Sequence, residues 1–131
     1  GPNHPSISWR VEIPDGPLPV EWDADLVKGA LINLVDNAVG ALEGREGGIT
    51  SLRLKKRNGD YLLIVEDDGP GVPEEAMGKL FDPYFSTKRK GTGLGLAIVR
   101  RTAEDHGGEI SYEALSPGSR FVMRLPAKAG A

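Results

Sequence analysis

The sequence predicts an α+β domain built as a two-layer sandwich, in which about three helices cover one face of a mixed, mostly antiparallel sheet. Two long segments, residues 26–42 and 94–108, have apolar positions at helical spacing. An Asn-Gly pair at 58–59 and a Ser-Pro-Gly turn at 116–118 each separate two strand-like segments. With 131 residues, 39% of them hydrophobic, the chain can form one compact domain with a single core.

The first half of the chain predicts a strand, a helix and a hairpin. Residues 8–13 (SWRVEI) alternate as a short strand does. Asp23 or Asp25 can cap the first long helix, and the glycines of EGREGG end it. Residues 49–57 and 61–67 are predicted to pair as a hairpin, because the Asn-Gly pair between them favours a tight turn.

The second half predicts a short helix at 74–81, a loop at 82–95 and the second long helix at 94–108, which ends at a Gly-Gly pair. His106 lies at that helix end, where a cation would complement the helix dipole, so we interpret it as a capping residue. Two strands, GEISYEA and SRFVMRLP, complete the chain.

Composition excludes several classes of protein. There are no cysteines and only two histidines, so disulfides, thiolate sites and a histidine-based metal site are not expected. A net charge of -3 argues against general nucleic-acid binding. No apolar stretch is long enough to span a membrane, and no signal peptide is visible. We therefore expect a cytoplasmic domain that is a monomer in isolation, although a longer protein containing it could be membrane-anchored.

The sequence pattern also predicts the domain boundaries. We interpret Gly1-Pro2 as the scar of a cleaved tag and residues 1–7 as tag remnant or linker. The folded domain is predicted to span residues 8–127, and residues 128–131 form a C-terminal tail.

Two asparagines within the first helix are the first candidate site. Asn33 and Asn37 lie four residues apart, so both amides project from one face of the helix. Asparagine is a poor helix former, and its amide oxygen is a hard, neutral ligand suited to Mg²⁺. The alternative is that both amides simply bond to neighbouring loops, and this stretch alone does not decide between the two.

The stretch VEDDGPGVP is the second candidate. Asp67 ends a predicted strand, and the glycines at positions 69 and 71 allow a sharp turn and close approach of a flat ligand. A carboxylate only accepts hydrogen bonds, so Asp67 would pair with the exocyclic amine of adenine and disfavour guanine, while Asp68 faces the other way. Taken alone, the stretch is also compatible with an ordinary acidic turn.

The aromatic stretch LFDPYFSTK is the third candidate. Phe81, Tyr84 and Phe85 surround a Pro that makes a stiff corner. These aromatics could anchor the base of a mobile loop, but on their own we expect them to be core residues.

The fourth candidate is TKRKGTGLGL. Glycines at positions 91, 93 and 95 immediately precede a helix, so free backbone N–H groups and the helix dipole converge on one point, an arrangement that binds phosphate. Lys88, Arg89 and Lys90 add positive charge. The stretch matches neither the Walker A pattern nor GxGxxG. A solvated basic loop is the alternative.

Together and in this order, the four stretches resemble the N, G1, F and G2 boxes of sensor histidine kinases, and most closely the nitrogen-regulation branch. They are similar to the ATP-binding domain of the GHKL family, which also includes gyrase, MutL and heat-shock chaperone ATPases. The match runs from about Asp23 to Pro126. The resemblance implies the Bergerat fold, with ATP between helices and sheet and with residues 82–95 as the ATP lid.

The resemblance also implies roles for individual residues. Catalysis would involve Asn33, Asn37 and Lys88, and Mg²⁺ would be held by Asn37 with Asn33 assisting. The nucleotide would contact the residues at the matching positions: Asn37, Asp67, Gly69, Gly71, Lys88, Gly91, Thr92, Gly93, Leu94, Gly95 and Leu96.

Departures from the family pattern refine this expectation. Where many relatives have a basic and then an aromatic residue after the second Asn, this chain has Gly40 and Ala41. The hydrolysing relatives have Glu at the position of Asn33, and an amide cannot act as a base, which favours a kinase over a hydrolase.

The expected reaction is phosphotransfer from ATP to a histidine on a separate dimerisation domain, followed by a response regulator. Neither His4 nor His106 has the sequence context of a phosphoacceptor, so the chain looks like an excised catalytic domain. The alternatives are a GHKL-type ATPase, a degenerate module that only binds nucleotide, and an anti-sigma serine kinase, which the third stretch disfavours.

Overall fold

A five-stranded mixed sheet forms one layer of the molecule, whose computed structural model describes residues 7–86 and 93–128. The strands stand in the order β1-β2-β3-β5-β4. β1 is parallel to β2, and every other neighbouring pair is antiparallel. Their bounds are β1 (Ile7–Glu12), β2 (Gly48–Arg57), β3 (Asp60–Asp67), β4 (Glu109–Leu115) and β5 (Gly118–Pro126).

Among the described residues, two α-helices and one 3-10 helix form the second layer: α1 (Ala24–Ala41), the 3-10 helix Glu74–Lys79 and α2 (Gly95–Asp105). The Asp23 side chain accepts a hydrogen bond from the backbone N–H of Leu26 at 3.0 Å, which confirms the predicted cap of α1. α2 ends at Asp105, three residues before the predicted limit, and Gly107 adopts a positive φ of 77° just beyond it. The two-layer α+β architecture is as predicted.

The two predicted hairpins are both present. β2 and β3 pair across the Asn-Gly turn, where Asn58 has a φ of 56° that asparagine tolerates better than most residues. β4 and β5 pair across the Ser-Pro-Gly turn, and Gly118 has a φ of 113°. A side chain at Gly118 would collide with the backbone carbonyl of Asp67, so the start of β5 lies directly against the end of β3.

The core lies between the sheet and the helices. Alternate residues of β3 and β5 face the helices, in keeping with the two-residue period of a strand. Trp22 fixes the chain just before α1, because its indole N–H donates to the Pro126 carbonyl at 2.8 Å and its ring meets Tyr61 edge-on. The buried cluster comprises Val27, Ala30, Leu34, Ala38, Leu63, Val65, Leu80, Val99, Ala103, Phe121, Met123 and Leu125.

Long charged side chains extend over the opposite face of the sheet, as is common for an antiparallel sheet with one solvated face. Arg120 on β5 bonds to Glu113 and Glu66 on the neighbouring strands, at 2.9 Å in each case. These hydrogen bonds, with Glu113 first, raise the pKa of Arg120 above its usual range.

His106 joins the C-terminal end of α2 to the N-terminal end of α1. Its Nε2 accepts the backbone N–H of Asp23 at 3.0 Å, and its Nδ1 lies 2.8 Å from the Thr102 carbonyl. His106 thus caps α2 as predicted, and the same ring also accepts a hydrogen bond from the residue that precedes α1.

Candidate active site

One side of α1 forms the spine of the candidate site. Asn33, Asn37 and Ala41 follow one another at intervals of four residues, so they project from the same side of the helix over about 12 Å. Both asparagines are half-buried. Each end of this line of residues is met by a glycine from another part of the chain.

Gly69 meets the C-terminal end of the line. A side chain there would lie 2.9 Å from the Ala41 carbonyl oxygen and 2.9 Å from Oδ1 of Asp67, so only glycine fits. Asp67 is 4% exposed, and its Oδ1 accepts the backbone N–H of Gly69 at 2.9 Å. A buried carboxylate is thereby fixed beside the end of α1.

Asp68 serves a different purpose from its neighbour. Its Oδ1 accepts the backbone N–H of Ile49 at 2.8 Å, and its carbonyl accepts from Nη1 of Arg45 at 2.7 Å. These bonds tie the end of β3 to the start of β2. The two adjacent carboxylates therefore point to different places, as the alternation of a strand requires.

The turn after Asp67 is held by β4 and β5. Gly71 has a φ of 78°, and a side chain there would lie 3.2 Å from the Gly118 carbonyl oxygen. The next residue, Val72, donates its backbone N–H to the Tyr112 hydroxyl at 3.2 Å. That hydroxyl also shares a hydrogen bond with Oγ of Ser119 at 3.2 Å.

Gly95 meets the N-terminal end of the line on α1. A side chain at this first residue of α2 would lie 3.3 Å from Oδ1 of Asn33, so the start of α2 approaches the asparagine with nothing between them. No side chain of the described residues caps α2 at Leu94. Leu96 is half-buried and packs against the core. The positive end of a helix dipole thus lies next to Asn33.

Tyr84 and Gly93 bring together the two ends of the segment that joins the aromatic stretch to α2. The backbone N–H of Tyr84 donates to the Gly93 carbonyl at 2.8 Å. Gly93 has a φ of 78°, and a side chain there would overlap the Tyr84 backbone. Phe81 packs edge-on against Phe121, as expected for a core residue. Tyr84 is 79% exposed, so the expectation that it is a core residue is wrong.

Three predicted site residues, Lys88, Gly91 and Thr92, lie outside the described residues, as do Arg89 and Lys90. The other predicted site residues lie in three parts of the described structure: Asn33 and Asn37 on α1, Asp67, Gly69 and Gly71 at the end of β3 and in the turn after it, and Gly93, Leu94, Gly95 and Leu96 at the start of α2.

Comparison with known proteins identifies the family. Residues 22–129 match the family model described as histidine kinase-, DNA gyrase B- and HSP90-like ATPase. The chain belongs to this family. Nitrogen regulation protein NtrY of Azorhizobium caulinodans is 36% identical to it over 96% of the chain, which spans 17% of NtrY. Sensor histidine kinase ZraS of Klebsiella oxytoca is 44% identical over 82% of the chain, corresponding to 23% of ZraS.

Solved structures narrow the assignment within the ATPase family. The nucleotide-free catalytic domain of histidine kinase ThkA superposes with a TM-score of 0.82 and 38% identity, over 94% of this chain and 80% of that one. A complex of ThkA with the response regulator TrrA gives a TM-score of 0.77 and 35% identity, over 92% of this chain and 34% of that one. This chain is therefore a catalytic ATPase domain of the histidine kinase type.

The donor atoms present fit a magnesium ion that is shared with a nucleotide. The described residues contain no group of three His, Asp or Glu side chains that could hold a metal by themselves. The amide oxygens of Asn33 and Asn37 are hard, neutral donors on one side of α1, and Mg²⁺ commonly completes its coordination with water and phosphate oxygens.

In the described parts of the chain, no helix has the length and apolarity needed to cross a bilayer.

Tyr112, Ser119 and Gly118 are the residues that sequence reasoning missed. All three lie on β4 or β5, 45 to 52 residues after Asp67 in the chain, and they reach its turn only through strand pairing. The Ser-Pro-Gly pattern identified Gly118 as a turn residue, but it did not indicate that Gly118 lies against Asp67. Their part in the site depends on tertiary contacts that no local pattern encodes.

Proposed function

We propose that this domain binds ATP with Mg²⁺ along α1 and donates the γ-phosphate to a histidine on a separate dimerisation domain of a two-component sensor kinase. One observation carries the proposal. The side of α1 that bears Asn33 and Asn37 is met at one end by Gly69, beside the buried Asp67, and at the other end by Gly95 at the start of α2. The base would then lie near Ala41 and the phosphates near Asn33, two residues separated by about 12 Å along the helix.

The adenine would lie at the Asp67 end. Oδ1 of Asp67 accepts the Gly69 N–H, and a carboxylate, which only accepts hydrogen bonds, would pair with the exocyclic amine of adenine. Guanine has a carbonyl oxygen at the corresponding place, and leaving these groups unpaired costs about 1 to 3 kcal/mol. Gly69 and Gly71 leave room for a flat base to approach the backbone.

The phosphates would lie at the other end. The backbone N–H groups at the start of α2 and its dipole favour anions there, with Gly93, Leu94, Gly95 and Leu96 forming that approach. Asn37, assisted by Asn33, would hold Mg²⁺, which neutralises phosphate charge when bound. We propose that Lys88, Gly91 and Thr92 contribute to the same phosphate site from the lid at residues 82–95.

Transfer rather than hydrolysis is favoured by the chemistry of Asn33. Its amide lies against the start of α2, and an amide cannot take a proton from water. The domain would accelerate transfer by holding the phosphate in line with an incoming imidazole and by neutralising charge. A GHKL-type ATPase and a module that only binds nucleotide are the competing functions, and only the kinase forms phosphohistidine.

The similar proteins support a proposal about the partner domains and the cellular location. NtrY and ZraS are named as regulatory and sensor proteins, and ThkA has been solved with a response regulator, so we propose a histidine-bearing dimerisation domain and a response-regulator receiver domain as partners. We assign the catalytic domain to residues 8–127 and its location to the cytoplasm, where ATP is available and where a protein without cysteines needs no oxidising environment.

The decisive experiment mixes this chain with a matching histidine-bearing dimerisation domain and ATP labelled at the γ-phosphate. We expect acid-labile, base-stable label on the dimerisation domain and none on this chain incubated alone. Release of labelled phosphate without phosphohistidine would instead indicate the ATPase. Nucleotide binding by calorimetry with neither product would indicate the binding module, and no binding at all would refute all three functions.

A further inference from the structure

The turn that follows Asp67 is fixed at both of its ends. At its start, the backbone N–H of Gly69 donates to the Asp67 carboxylate at 2.9 Å. At its end, the backbone N–H of Val72 donates to the Tyr112 hydroxyl at 3.2 Å. Between these two bonds, Gly71 adopts a positive φ and lies close to the Gly118 carbonyl. Tyr112 is thus the side chain from β4 that holds the far end of the turn.

Tyr112 is itself held firmly. Its ring packs against Phe121 at a centroid distance of 5.2 Å and an angle of 58°. Its hydroxyl shares a hydrogen bond with Oγ of Ser119, a residue that is 4% exposed and stands opposite Asp67 in the pairing of β3 with β5. A single hydroxyl can accept from Val72 and donate to Ser119 at once, so both contacts are compatible.

We infer that Tyr112 is a positioning residue for the base-binding end of the site, acting through the 69–72 turn rather than by touching the nucleotide. This inference rests on the proposed nucleotide function and deepens it. A turn held at one end only would sample more conformations. The entropy lost when the nucleotide orders the turn would then lower the affinity for the nucleotide. The same loosening would let the turn shift away from a base that does not fit, so discrimination between adenine and guanine would weaken.

The Tyr112→Phe variant isolates the hydroxyl. It keeps the ring that packs against Phe121 and removes the partner of Val72 and Ser119. Tyr61→Phe is the matched control, because Tyr61 is a tyrosine of the same sheet, on β3, and none of the described residues is hydrogen-bonded to its hydroxyl. Both variants, and the wild-type chain, would be titrated with ADP and with GDP in the presence of Mg²⁺ by calorimetry.

We expect Tyr112→Phe to bind ADP about 3-fold to 10-fold more weakly, which is the effect of losing one neutral hydrogen bond. The ratio of ADP affinity to GDP affinity should fall as well, whereas Tyr61→Phe should leave both quantities unchanged. Hydrogen exchange should be faster at the Val72 amide of Tyr112→Phe, without nucleotide, because its acceptor is gone. A merely structural hydroxyl would lower thermal stability without changing the ratio.

The outcomes separate this inference from the function on which it rests. If wild type binds ADP and Tyr112→Phe binds it equally well, or with an unchanged ADP to GDP ratio, the positioning role is refuted and the proposed function stands. An equal loss in Tyr61→Phe also refutes the role. If the wild-type chain binds no nucleotide, both the positioning role of Tyr112 and the proposed function are refuted.

Discussion

At the level of single side chains, the adjacent carboxylates of Asp67 and Asp68 have different surroundings. Asp67 is buried beside the end of α1, whereas Asp68 bonds to Ile49 and thereby ties β3 to β2. Replacing each of them by asparagine should therefore affect nucleotide binding to very different extents. Both substitutions preserve size and remove one charge, so the comparison isolates position.

Asp67→Asn should weaken ADP binding by about 100-fold or more. The amide oxygen can still accept the Gly69 N–H, but the amide nitrogen would then face the amine of adenine, donor against donor. Asp68→Asn should bind ADP within about threefold of wild type, because its amide oxygen can still accept from Ile49. Calorimetric titration of the three proteins measures both effects, and equal losses would mean that the base contact has been assigned to the wrong carboxylate.

Which residues could be predicted from sequence depends on how local their signal is. The sharp turn after Asp67 could be predicted because the glycines at positions 69 and 71 lie beside it in the sequence. The contact of Tyr112 with Val72 joins residues 40 apart in the chain, and Tyr112 sits in an ordinary strand pattern. Only the pairing of β4 with β5, and of β5 with β3, brings it to the site.

Among the helices and strands, the same distinction explains which features could be predicted. Both hairpins were legible because their turn residues lie between the strands they join. The parallel pairing of β1 with β2 could not be predicted in the same way. α1 separates the two strands in the sequence, and no local pattern specifies which strand pairs with β1. The adjacency of β3 and β5, which sets Gly118 against Asp67, is likewise a property of the sheet alone.

The approach to α2 offers a test of how its start is held. Gly93→Ala places a side chain in a left-handed conformation that costs about 1 to 2 kcal/mol, and the new Cβ would lie 2.5 Å from the Cα of Tyr84. We expect the Tyr84–Gly93 hydrogen bond to break. The free energy of unfolding should fall by at most about 2 kcal/mol, since the contact is at the surface, and ATP affinity should fall by about tenfold.

Gly78→Ala is the matched control for this substitution. Nothing lies within 4 Å of a side chain at Gly78, and its φ is not in the left-handed region. Its free energy of unfolding, measured in urea, should stay within about 0.5 kcal/mol of wild type, and its ATP affinity should not change. If Gly93→Ala behaves as Gly78→Ala does, the contact between Tyr84 and Gly93 does not restrain the start of α2.

For the domain as one body, the candidate site lies where three parts of the fold meet. The end of β3, the side of α1 and the start of α2 come from three separate stretches of the chain, and two glycines bring them within van der Waals distance. A ligand bound along α1 would bridge all three. Because it binds only the folded state, it should stabilise the whole domain.

This linkage gives a measurement on the intact chain. At 100 times its dissociation constant, ADP with Mg²⁺ should stabilise the domain by about 2.7 kcal/mol, which for a domain of this size raises the melting temperature by about 8 to 15 °C. Chelating Mg²⁺ should reduce the shift, because Asn37 and the phosphates then lose the cation between them. GDP at the same concentration should shift the melting temperature less, since Asp67 presents only acceptors to the base. If the melting temperature shifts equally for ADP with and without chelator, Mg²⁺ does not contribute to nucleotide binding. If the shifts for ADP and GDP are equal, Asp67 does not select the base.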